Sequence, residues 1–102
     1  MSEEITVADD PAAQRFTIFV DGRAVGFADY RLDGDKILFT HTEVDAAYGG
    51  RGLGGRLVGA ALDAARDTGL SVVPLCPFVA RYIDRHPEYR PLLAEKGGDP
   101  TG

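Results

Sequence analysis

The stretch Tyr48-Gly49-Gly50-Arg51-Gly52-Leu53-Gly54-Gly55-Arg56 decides how this chain reads. Five glycines fall within the seven residues 49–55, just where an apolar, helix-like pattern begins. Glycine loses more conformational freedom on folding than any other residue, so such a run is costly unless something needs close access to the backbone. The first N–H groups of a helix have no partner inside it, and the helix dipole favours negative charge at that end. With no side chains in the way, several of those donors converge on one anion, most naturally a phosphate. The competing reading is a loose connection with close helix–sheet packing. Packing accounts for one or two of the glycines rather than five, so an anion site is the expectation.

Outward from this loop the chain divides cleanly. On the C-terminal side, 51–68 predicts a helix with Leu53, Leu57, Ala60, Ala61 and Ala64 on its apolar stripe and Arg56, Asp63, Arg66 and Asp67 on the polar one. Gly69 suits the left-handed residue that ends it. LSVVPL, 70–75, fits a short buried strand, bent near its end by Pro74. Pro77 suits the first turn of a second helix reaching about Arg85, where His86-Pro87 stops it.

On the N-terminal side, RFTIFV (15–20), the segment 23–31 and KILFTHTEV (36–44) alternate as strands. In the second, Val25, Phe27 and either Ala28 or Tyr30 pack. In the third, Ile37, Phe39, His41 and Glu43 share one side. Asp21-Gly22 and Leu32-Asp33-Gly34-Asp35 make the turns between them. The predicted order is β-β-β-α-β-α: an antiparallel meander followed by a βαβ unit, hence an α/β (α+β) domain with a mixed, mostly antiparallel sheet. Residues 1–12 read as a flexible lead, 13–95 as the domain and 96–102 as a disordered tail.

The chain has 102 residues, enough for one domain, and 44% of them are apolar, enough for one modest core. No apolar run approaches the roughly 20 residues of a membrane-crossing helix. The acidic start lacks the features of a secretory signal, and a single cysteine forms no internal disulfide or four-ligand metal site. A cytoplasmic protein without a metal is the expectation. A net charge of −5 argues against non-specific nucleic-acid binding and is compatible with a cationic acceptor.

Two nucleotide motifs fail on specific residues. Gly50, Gly52 and Gly55 satisfy G-x-G-x-x-G, but the next strand ends in Leu75-Cys76 without the acidic residue that a dinucleotide ribose needs. A P-loop requires Gly-Lys-Ser/Thr, and this chain has Gly55-Arg56-Leu57.

The loop resembles instead the Gln/Arg-x-x-Gly-x-Gly/Ala signature of the GNAT superfamily of acyl-CoA N-acyltransferases, with Gly52-Leu53-Gly54 in its last three positions and Gly49 in its first. His41-Thr42-Glu43-Val44, then Val73-Pro74-Leu75-Cys76-Pro77-Phe78-Val79, and Tyr82 with Arg85-His86-Pro87-Glu88-Tyr89, resemble the compact single-domain subgroup. The resemblance spans about 16–93.

It implies an N-acetyltransferase that uses acetyl-coenzyme A as co-substrate. It also implies that the third meander strand and the strand from Leu70 splay apart around the pantetheine arm. Val44 would pair with that arm, and the N–H groups of Gly49, Gly50, Arg51, Gly52, Leu53 and Gly54 would hold the pyrophosphate. Gly55 completes the loop. Arg51 and Arg56 are candidates for added charge there, as Arg85 and His86 are for the 3′-phosphate.

For the chemistry, His41 and Glu43 share a strand face near the implied thioester, and either suits a general base. The alternative is that both are ordinary sheet residues. Cys76 sits at a helix start that lowers a thiol pKa. It reads either as an acyl-accepting nucleophile or as a small residue lining the cleft. Tyr82 is a candidate acid for the departing thiolate by resemblance, or a packing residue. The acceptor is an amine, small or a protein lysine or N-terminus, and the chain a monomer or weak dimer. The alternative function is a coenzyme A-binding module with little turnover.

Overall fold

Asp21 and Gly22 take φ values of 51° and 83°, the two left-handed positions that a two-residue hairpin loop requires. They join β2 (Arg15–Val20) to β3 (Arg23–Asp33). A second turn, with Gly34 at φ 61°, leads into β4 (Lys36–Val44). The three strands pair antiparallel, as their alternation predicts. The computed structural model describes residues 3–94; the expected tail, 96–102, and the domain's last expected residue lie outside them.

The expectation of a flexible lead over 1–12, whose first two residues lie outside the described ones, is corrected from residue 5 onward. Ile5–Asp10 form β1, paired antiparallel with β2 from Ile5↔Val20 to Asp10↔Arg15. Its start is fastened twice: Glu4 N–H donates to Asp21 Oδ1 and Asp21 N–H to the Glu4 carbonyl, each at 2.8 Å. Ile5 and Val7 pack against the core edge. Two apolar residues are a weak local signal. The strand forms because β2 otherwise leaves a row of backbone groups without partners.

After β4 come a 3-10 turn (Ala46–Tyr48), α1 (Leu53–Asp67), β5 (Ser71–Pro74), α2 (Pro77–Arg85) and a 3-10 helix (Pro87–Leu92) that the sequence reading did not include. The sheet order is β1-β2-β3-β4-β5, with β5 joined in parallel to β4. Gly69, at φ 75°, follows α1 as its expected stop. The apolar face of α1 is wider than the predicted stripe. Val58, Leu62 and Ala65 are buried with Leu53, Leu57 and Ala61. A helix packed on both a sheet and a second helix needs more than one stripe.

Two irregularities decide which side chains face the helices. A register shift at Ile18/Phe19 leaves Val25 without a partner on β2. Val25 and Ala28 therefore both turn inward, 3% and 0% exposed, while Phe27, expected in the core, is only half-buried on the opposite side. A second shift pairs Asp29 with His41 but Tyr30 with Phe39, leaving Thr40 as the extra residue of β4.

One extra residue reverses the inside–outside parity of everything after it. Ile37 and Phe39 face the core, 2% and 1% exposed. Beyond the bulge Thr42 and Val44 are half-buried, and His41 and Glu43 are exposed. The expectation that His41 and Glu43 share a side with Ile37 and Phe39 is thus corrected.

Candidate active site

The glycine loop begins where Asp45 closes the 3-10 turn, its Oδ1 accepting the Ala47 N–H at 3.0 Å. Gly49 N–H still bonds the Ala46 carbonyl, at 3.1 Å. From Gly50 to Gly55 no N–H finds an acceptor among the described residues. The first bond of α1 runs from Arg56 N–H to the Gly52 carbonyl, at 3.2 Å. The Gly52 cap carries no side-chain hydrogen bond, and the first turn holds no acidic residue. Six consecutive donors thus remain open at the positive end of a 15-residue helix, the arrangement an anion requires.

The glycines themselves divide by cause. Gly50 and Gly52 have φ of 79° and 76°, which a Cβ disfavours. Gly54 serves packing with α2, whereas Gly55 has room for a Cβ in ordinary contact. A Cβ on Gly54 would lie 2.7 Å from the Phe78 ring, and one on Gly55 would lie 3.4 Å from Tyr82. Backbone conformation and packing with α2 together account for three of the five. The open N–H groups, rather than the glycine count, therefore make this loop a candidate anion site.

A cleft leads away from this loop. β4 and β5 pair from Lys36↔Ser71 to Phe39↔Pro74 and then part, the last tie being Cys76 N–H to the Phe39 carbonyl at 2.9 Å. His41 to Val44 pair only with β3, so the other edge of β4 is open. Thr42 N–H points across the gap toward Cys76, and the N–H of Val44, two residues on, projects the same way. Leu75 and Phe78, both exposed, flank the opening. Open backbone groups beside apolar side chains suit an arm that combines amides with methylenes.

Cys76 is buried, 4% exposed, at the cap of α2, with Sγ 3.5 Å from Thr42 Oγ1. Burial pushes its thiol up. The Thr42 hydroxyl and the N–H groups of Val79, Phe78 and Thr42 outweigh that, leaving the thiol below its ordinary value. Absorbance at 240 nm, unambiguous with one cysteine, should show its ionisation below that of a free thiol and shifted upward in Thr42→Val. An unshifted midpoint in both proteins would discard this account of the thiol. Thr42 was missed by the sequence reading, because only the Thr40 bulge turns it inward.

His41 and Glu43 hold each other on the opposite face, Nε2 to Oε2 at 2.8 Å, with more than half of each side chain exposed. Glu43 also lines an open concavity of about 550 Å³ with Asp10, Arg15, Phe19, Phe27 and Asp45. The only cation in that set, Arg15, is neutralised by Asp29 at 2.9 Å and lies over the Phe27 ring. His41–Glu43 and Thr42–Cys76 therefore face opposite sides of one strand.

Tyr82 joins neither pair. Its ring stacks on His86 at 3.9 Å and fills the space left by Gly55 and Gly59. Burial, with Glu88 and Asp63 nearby, raises its phenol above the ordinary value. His86 is held by its Nδ1, 2.8 Å from the Tyr82 carbonyl. On the loop, Arg51 lies over the Tyr48 ring, 5.3 Å from its centroid, and pairs with Glu3. Arg56 and Arg85 are exposed.

Comparisons with known proteins bear on the family and the fold. The family model described as GCN5-related N-acetyl-transferase matches residues 15–92. The chain is 34% identical over 87 residues to Protein NATD1 of Homo sapiens, covering 81% of this chain and 75% of that protein. The NATD1 of Gallus gallus matches equally, with 77% of its length covered. A solution structure of a GCN5-like protein from Staphylococcus aureus superposes with TM-score 0.66 at 24% identity, covering 94% of this chain and 92% of that one. The ribosomal-protein-S18-alanine N-acetyltransferase of Escherichia coli superposes with TM-score 0.57 at 18% identity, covering 70% and 64%.

Proposed function

The chain belongs to the GCN5-related N-acetyltransferase family, and from that premise we propose that it moves an acetyl group from acetyl-coenzyme A directly to a primary amine. The observation that carries the reading is the row of open N–H groups at 50–55, continuous with the open edge of β4. The first suits a pyrophosphate and the second a pantetheine arm, which brings the thioester to the part of β4 between His41 and Val44. Direct transfer needs a base for the amine proton, a donor for the carbonyl oxygen and a proton for the thiolate.

Glu43 and His41 are the base. A carboxylate fixed to an imidazole at 2.8 Å, on the face away from the cleft, is placed to meet an acceptor arriving from the opposite side. The carboxylates of Asp10, Glu43 and Asp45 around that concavity favour an ammonium-bearing acceptor, a small amine or a protein lysine or N-terminus. Backbone N–H groups of β4 are the candidates for stabilising the oxygen.

Glu43→Gln should lower kcat about 100-fold, the low end of general-base contributions. The KM for acetyl-coenzyme A should hold, because the carboxylate lies across the strand from the cleft. Steady-state thioester loss with a productive amine checks both. A fall in affinity with kcat intact would remove Glu43 from this role. In direct transfer Cys76→Ala retains most of the rate; its complete loss would favour an acyl-cysteine route.

A second reading follows from the uncovered sheet face. The chain passes from β1 to β2 through a turn at 11–14, with no helix between them to wall an acceptor site. A coenzyme A-binding module with little turnover fits that openness. Assaying thioester loss across small amines, polyamines and lysine peptides separates the two. Turnover with any of them supports the enzyme, and tight binding without turnover supports the module.

A further inference from the structure

The start of β1 is brought to the glycine loop in an unexpected way. Glu4 and Asp21 exchange two backbone-anchored hydrogen bonds of 2.8 Å, which fix where the chain enters the sheet. Glu3, one residue earlier, is thereby held beside a loop 48 residues further along, where its Oε1 pairs with Arg51 Nη2. Arg51 stands between the two positive-φ glycines, Gly50 and Gly52, and Tyr48 supports its guanidinium from one side. The cation at the mouth of the open N–H row thus already carries an internal carboxylate.

We propose that Glu3 is a built-in competitor for the phosphate loop, holding Arg51 in the free protein and releasing it when a diphosphate binds. This rests on reading the loop as the pyrophosphate site. The pair is partly exposed, with 39% and 42% of the two side chains accessible, so it exchanges readily and its strength falls with added salt. A phosphate offers Arg51 more charge than a carboxylate and gains the six N–H donors as well, so it wins the exchange. Until then Glu3 occupies Arg51 and keeps its guanidinium from the approaching anion. The consequence is selectivity: singly charged metabolites that meet Arg51 alone do not displace Glu3, whereas a ligand spanning loop and helix end does.

Calorimetry with coenzyme A on the full chain tests this through four proteins: wild type, Glu3→Gln, Arg51→Gln and the double variant. Glu3→Gln should tighten binding about two- to fivefold at low salt, the scale of an exposed ion pair. That gain should shrink at high salt and vanish in the Arg51→Gln background. A gain that persists without Arg51 would mean general charge repulsion and overturn the proposal. So would unchanged or weaker binding by Glu3→Gln, and in both cases the reading of the loop would stand. Absence of coenzyme A binding in all four proteins would remove that reading, and the proposal with it.

Discussion

Gly52→Glu is expected to weaken coenzyme A binding about 100-fold or more while the protein stays folded. Gly52 caps α1 at φ 76°, and no atom lies within 4 Å of where its Cβ would be. The substitution therefore meets no steric wall. A side chain held left-handed costs about 1–2 kcal/mol, partly offset because a carboxylate at a helix N-terminus is favourable by about 0.3–1 kcal/mol. What changes is the site. The new carboxylate competes for the open N–H groups and repels the incoming diphosphate. Losing one or two charge-assisted hydrogen bonds at about 1.5–3 kcal/mol each gives the stated factor. Calorimetry and a thermal melt read the two effects separately. Unchanged affinity in a folded protein would contradict the site.

Gly26→Ala should do the reverse, destabilising the fold by about 2 kcal/mol and lowering Tm by about 10 °C. The φ of Gly26 is ordinary, so strain is not the cause. An added Cβ would sit 2.8 Å from the Glu43 carbonyl oxygen and 3.1 Å from Ile18 Cγ2 and Val44 Cγ2. The carbonyl belongs to a paired strand and cannot swing aside as a flexible side chain would. β3 and β4 must therefore separate, and they do so where β4 carries both Glu43 and the open edge at Val44. The KM for acetyl-coenzyme A should rise with the loss of stability. Differential scanning calorimetry with steady-state kinetics on the variant checks the pair of effects, and a melting temperature within a degree of wild type would refute the close approach.

These two glycines also show what the sequence could and could not convey. Asp21-Gly22, Gly69 and Pro77 act through their own backbone preferences, and the structure places each where local chemistry put it. The open N–H groups of the loop from Tyr48 to Arg56 were legible for the same reason, because unpaired donors at a helix start are a local property. Its glycine count was a weaker argument than it looked. Phe78, which presses on Gly54, approaches from a helix more than twenty positions away.

The inward turn of Thr42 and the outward turn of His41 and Glu43 depend on a single extra residue at Thr40. Nothing in KILFTHTEV marks it, because a bulge is set by the register of the partner strand. β1 was missed for a related reason, since an edge strand with two half-buried apolar residues is held mainly by its neighbour. Order along the chain was therefore readable, while the facing of the catalytic candidates was decided by pairing between strands.

Whether open main-chain donors along 50–55 and the free edge of β4 form one diphosphate-and-arm site is tested most directly by amide NMR on titration with coenzyme A. The largest shifts should appear at the N–H signals of Gly50 to Gly55, Thr42 and Val44, with smaller ones at Glu3 and Glu4 and little change along the outer strand β1. Saturable binding that leaves those amides unmoved, or no binding at millimolar ligand, would contradict such a site.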